Sequence, residues 1–138
     1  MDKRSLRVAV IDMNNGAPNQ GMRGIQEILS RYKNEHNIDL TFDIFDLRQK
    51  GQIPGIDYDA YISSGGPGSP IESKGEKWEN DFFNLLDQIE NFNTVNEEKK
   101  YAFLICHSFQ LACLKAHCNR WQSCSSFRLH TKEKRSRY

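Results

Sequence analysis

The stretch Leu6-Arg-Val-Ala-Val-Ile-Asp-Met13, followed by Asn14-Asn-Gly-Ala-Pro-Asn-Gln-Gly21, decides the fold class. A near-continuous apolar run is what a strand covered on both faces requires, and such strands belong to parallel sheets. The run stops at a segment made of turn formers. Beyond it, Met22, Ile25, Ile28, Leu29 and Tyr32 recur at the spacing of one helical face. Strand, polar loop and amphipathic helix together form the opening unit of an α/β sheet.

The pattern continues along the chain. From Ile38 to Leu47 the side chains alternate, with Ile38, Leu40, Phe42 and Ile44 on one side and Asp39, Thr41 and Asp43 on the other. That predicts a strand with one wetter face, near a sheet edge. Residues 51–57 form a loop around Pro54 and Gly55, and Asp59 to Ser63 a short third strand. The sequence SGGPGSP, Ser64 to Pro70, breaks any regular element. Ser73-Lys-Gly-Glu76 has the spacing of a capping box for a second helix, whose apolar face is Trp78, Phe82, Leu85, Leu86 and Ile89. Tyr101 to Ile105 is a fourth buried strand. Cys106 follows it directly, and then a helix over about 108–116. The order β-α-β-β-α-β-α predicts an α/β fold: an open, mostly parallel sheet with helices on both faces. Function in such sheets sits at the carboxyl ends of the strands, which here places loops 14–21, 64–70 and 106–108 together.

With 138 residues, of which 38% are hydrophobic, the chain holds one core and one domain. No run nears the roughly 18 apolar residues of a membrane span, and the N-terminus lacks a signal-peptide pattern. A cytoplasmic protein with no membrane partner is expected. The net charge of +1 hides an asymmetry. Residues 118–138 carry six basic side chains and one acid, against a net-acidic body. That segment contains no Gly, Pro, Val, Ile or Ala and neither helical nor strand periodicity. The expected division is therefore a domain over 1–117 and a basic, disordered tail over 118–138. Without aromatics interleaved on a structured face, no nucleic-acid partner is expected. The four cysteines, Cys106, Cys113, Cys118 and Cys124, cluster in the last third and do not form a disulfide framework. With His117 they lack paired C-x₂-C spacing, so no metal site is expected.

Two motifs carry chemistry. Cys106 stands where a buried strand gives way to a helix, the geometry of a nucleophile elbow. Helix N-termini favour a thiolate, the reactive form of a thiol. The position also suits a buried structural cysteine. The glycines of SGGPGSP leave backbone N–H groups open, as an acyl-transfer site needs for its negative oxygen, with the N–H of His107 as a second donor. Taken alone, the loop reads first as an ordinary Gly/Pro-rich turn. A glycine loop ending one strand and a cysteine ending another are neighbours across the carboxyl edge.

Tyr58 to Pro70, YDAYISSGGPGSP, resembles the oxyanion segment of class I (triad-type) glutamine amidotransferases. Tyr101 to Cys113, YAFLICHSFQLAC, is similar to their nucleophile segment, in which a glutamine follows the cysteine by four residues, as Gln110 follows Cys106. The loop DMNNGAPNQGMRGI also looks like that of a subgroup. The resemblance covers about residues 6 to 114. It implies a flavodoxin-like α/β fold without a cofactor and hydrolysis of glutamine to glutamate and ammonia through a cysteinyl thioester. The ammonia passes to a synthetase domain or subunit. By position, Cys106 would be the nucleophile, and Gly66 and His107 would supply oxyanion N–H groups. Gly65 would allow close backbone approach, and Gln110 would shape the glutamine pocket beside Gly65 and Gly66.

Two departures stand out. The family has glycine two residues before and two after the cysteine, where this chain has Leu104 and Ser108. The family's His-x-Glu, which activates the thiol, has no counterpart in the 32 residues after Cys106. There His130 stands three residues before Glu133, and the His107 side chain should diverge from the thiol. His36 and His117 read as helix-surface residues. The expectation is a domain incomplete at its C-terminus, with an unpaired sheet edge and impaired activity. The rival reading is a non-catalytic module of the same fold that binds glutamine or a partner. A flavodoxin-like cofactor binder fits less well, because loop 14–21 has neither G-x-G-x-x-G nor a P-loop lysine.

Overall fold

The computed structural model describes the backbone of residues 5–123 and side chains as far as His117. Strands β1 (Ser5–Asp12), β2 (Asp39–Asp46), β3 (Ala60–Ser63) and β4 (Tyr101–Leu104) alternate with helices α1 (Gln20–His36), α2 (Leu47–Lys50), α3 (Lys77–Val95) and α4 (His107–Ser123). The strands form one sheet in the order β2-β1-β3-β4, and every neighbouring pair is parallel. This is an α/β fold with an open parallel sheet in the flavodoxin-like order.

Period-two alternation along β1 distributes its side chains between two layers. Val8 and Val10 meet Met22, Ile25 and Leu29 of α1 on one face. Ala9 and Ile11 join Tyr61, Phe82 and Leu85, with Leu111 of α4, on the other. Residues 8–11 of β1 are therefore apolar without interruption, because that part of the strand is covered from both sides. Strand β2 lies at the sheet edge, as its alternation predicts, with Ile44 half exposed. Among the described residues no helix is long and apolar enough to cross a membrane.

Five details differ from the sequence reading, the last of them the length of α4. First, the buried stripe of α1 is narrower than predicted. Ile28 is exposed, because it lies roughly 90° around the helix from the middle of the Met22–Ile25–Leu29 stripe. Second, the capping box does not form. Gly75 takes a left-handed turn at φ +87°, the cap of α3 is Glu76, and the Ser73 hydroxyl instead donates to Glu79 Oε2 at 2.5 Å. Third, α2 was not predicted. Asp46 caps it by accepting from the Gln49 N–H at 3.1 Å, and Gly51 ends it at φ +66°. Fourth, β4 is not buried. Its outer edge has no strand partner among the described residues, and Tyr101 and Phe103 are 70% and 66% exposed on the face that α1 covers elsewhere. Helix α4 outruns its predicted end, since no Gly or Pro stops it before Ser123. Residues 124–138 of the basic tail lie outside the described residues.

Candidate active site

All strands run the same way, so the loops after β1, β3 and β4 emerge on one edge. The order reverses between β1 and β3, which makes that edge the crevice where α/β sheets of this kind hold ligands.

The elbow is strained where a nucleophile elbow should be. Cys106 is exposed and takes φ +49°, a left-handed conformation costing an L-residue about 1–2 kcal/mol. Its neighbours enforce it. The Ile105 N–H donates to Ser63 O at 3.0 Å, fixing the end of the strand. The Gln110 N–H donates to Cys106 O at 3.0 Å, starting the helix. Ser108 is fully buried, and its hydroxyl donates to Ser64 O at 2.6 Å. With that proton committed, the 2.6 Å contact to Ser63 Oγ must be donated by Ser63. Serine thus replaces the expected glycine by filling the turn with a satisfied hydroxyl. Leu104, at the other position where the family has glycine, packs against the core cluster around Phe82 and Leu111.

The two glycines meet steric demands. A Cβ on Gly65 would lie 3.3 Å from Cys106 Cβ, so the loop passes directly against the elbow. A Cβ on Gly66 would lie 2.1 Å from Met13 O, an approach no side chain permits. Ser64 joins the loops, since its N–H donates to Ile11 O at 2.9 Å and its hydroxyl accepts from the Met13 N–H at 2.9 Å. Gln110 is exposed one turn beyond Cys106. It opens on an apolar groove of about 510 Å³ lined also by Pro70, Ile71, Phe109, Cys113 and Leu114.

His107 divides its roles. As the first residue of α4, it has a backbone N–H without an intrahelical acceptor. Its side chain is buried, with ring centroids 6.2 Å from Trp78, and neither ring nitrogen has a hydrogen-bond partner, the thiol included. Burial first, and then the Arg48 charge, push its pKa below the usual 6.5, against a smaller pull from Glu79. The unfolded chain therefore binds this proton more tightly than the folded one. Stability should be fullest above pH 6.5 and fall as the pH drops through the lower native value. His107→Phe, which keeps a ring against Trp78, is expected to flatten that acid limb in melting curves taken from pH 7.5 to pH 5. An unchanged limb would show that another group causes it.

The sequence reading gave no part to Arg48. Its Nη1 donates to Pro67 O at 2.6 Å and to Met13 O at 3.2 Å, and its guanidinium lies 4.7 Å over the Trp78 ring. The one available signal was the Asp46–Gly51 pair of helix caps, which places Arg48 on a short helix at the carboxyl edge. Of the other histidines, His36 closes α1 at the opposite edge, His117 lies on α4 by the groove, and His130 with Glu133 is outside the described residues. No group of three or more metal-ligating side chains occurs among the described residues. Comparison of the chain with protein-family models, with curated proteins and with solved structures returns no match.

Proposed function

We propose that this chain is a glutamine amidotransferase domain of the glutaminase type, with Cys106 as nucleophile. The observation that carries the reading is a non-glycine residue held at φ +49° at a strand-to-helix turn, its thiol exposed and a glycine loop in contact with it. In the reaction Cys106 Sγ attacks the side-chain carbonyl carbon of glutamine. The C–N bond breaks, ammonia leaves with the thiol proton, and a thioester remains. Water then cleaves the thioester to glutamate and free thiol. The N–H groups of Gly66 and His107 serve on this reading as donors to the oxygen that becomes negative. On this reading the ammonia goes to a synthetase domain or subunit in a cytoplasmic setting.

A second reading is favoured by one observation. The ring of His107 is in the core and does not touch the thiol through either nitrogen, so the elbow brings no base with it. A site of this kind binds glutamine or a partner and turns over slowly or not at all.

Labelling tests the shared element. A chloroketone analogue of glutamine is expected to modify Cys106 at one equivalent, with glutamine protecting it. Cys113, also an exposed free thiol, should stay unmodified in the same sample. Equal labelling of both thiols, or no protection by glutamine, would remove the case for a glutamine site.

A further inference from the structure

We infer that Arg48 is a positioning residue that sets the oxyanion loop; the inference rests on the amidotransferase reading of the site. Its Nη1 bridges Met13 O, at 3.2 Å, and Pro67 O, at 2.6 Å. The first carbonyl belongs to the residue directly after β1, and the second lies in the glycine loop directly after Gly66. The same Met13 carbonyl leaves no room for a Cβ on Gly66, and that Cβ would also come within 3.3 Å of Arg48 Nη1. Gly66 is thus pressed against the pair that Arg48 holds.

A trans peptide directs its C=O and N–H in opposite senses. Fixing the Pro67 carbonyl therefore fixes the plane of the following amide, that of Gly68, and the ring-locked φ of Pro67 carries part of that constraint back to the peptide that leaves Gly66. Bonds from a guanidinium are charge-assisted and directional, and one planar group serves both acceptors. The guanidinium is itself set by the Trp78 ring, whose other neighbour is the His107 ring, behind the nucleophile. One side chain from α2 therefore links the segment after β1, the loop after β3 and the start of α4. The partners seen for its guanidinium are the Met13 and Pro67 carbonyls and the Trp78 ring, so the part we assign to it is aiming the loop.

The test separates aim from fold. Reaction of Cys106 with a glutamine chloroketone builds negative charge on a carbonyl oxygen; displacement of iodide from iodoacetamide does not. In Arg48→Ala the chloroketone rate should fall about 10- to 100-fold, the usual effect of a misplaced donor, with half-saturation unchanged. The iodoacetamide rate should stay within about twofold, since the thiol's own surroundings are intact. Amide hydrogen exchange over residues 64–69 should rise in the variant while exchange in β1 and α3 holds. Arg48→Lys keeps the charge without the fork, should fall between the two, and decides the matter if the alanine variant unfolds. Equal slowing with both reagents, or unchanged exchange over 64–69, overturns the inference. If the wild-type chain shows no chloroketone preference for Cys106, the amidotransferase reading fails. The exchange measurement then still decides whether Arg48 holds the loop.

Discussion

Cys106→Gly is expected to melt about 3–6 °C higher than the wild-type chain and to release no glutamate from glutamine. Both effects come from one backbone angle. At φ +49° a Cβ is strained by about 1–2 kcal/mol, and glycine removes that strain while giving back part of it as unfolded-state entropy, leaving about 1 kcal/mol of stabilisation. Cys106→Ser separates the two effects, because it keeps the strain and loses the thiol. It should melt with the wild type and release glutamate only at the buffer rate. A glycine variant no more stable than the serine variant would show that the turn is not strained. Release surviving in both would show that the thiol is not the nucleophile. Release absent from a folded wild-type chain would favour the binding reading.

Gly66→Ala should act in the opposite direction, losing stability and chemistry together. Its methyl group would need to occupy a point 2.1 Å from Met13 O, and Met13 is itself buried at the end of the central strand. Neither backbone can yield without breaking the Met13–Ser64 bond or the Arg48 bridge. Overpacking of this kind costs about 1–3 kcal/mol, which thermal melting reads directly. A loop displaced by about 1 Å should also slow chloroketone labelling of Cys106 by about 100-fold. Gly65→Ala is the milder control, because its methyl group would meet a side-chain carbon at 3.3 Å rather than a backbone oxygen. Equal effects at the two glycines would contradict the geometry.

What the sequence made legible follows from which interactions are local. The apolar run at Val8–Ile11 announces a doubly covered strand because burial acts on each residue separately. The meeting of Cys106 with SGGPGSP at the carboxyl edge was readable because a strand-to-helix junction and a glycine pair each carry their geometry in a few consecutive residues. Arg48 was not readable, because its partners lie 35 and 19 residues away and a lone arginine after a strand has no pattern. Ser108 shows in the sequence only as a departure from glycine, and its buried bonds to Ser63 and Ser64 depend on register between β3 and β4. The capping box failed for a related reason: its spacing was right, but Ser73 found a stronger acceptor in Glu79. The burial of β4 was misjudged because an apolar strand reports what it could bury, not what is there to cover it.

The bare flank of β4 bears on how the chain behaves in crowded solution. Tyr-Ala-Phe-Leu-Ile, 101–105, is uncharged, free of proline and glycine, and rich in strand formers, and among the described residues the outer edge of β4 has no strand partner. Segments of that kind seed intermolecular cross-β pairing. Charged gatekeepers beside such a segment oppose it, and here they are Lys99 and Lys100. Both are spent on backbone carbonyls at the foot of the strand: Lys99 on Asn96 O at 2.6 Å and Lys100 on Tyr58 O at 2.6 Å. Their charge guards only the entrance to the strand. The stretch from Ala102 to Leu114 carries no Asp, Glu, Lys or Arg, so self-association through it should rise with concentration and, as salt screens the flanking charges, with ionic strength.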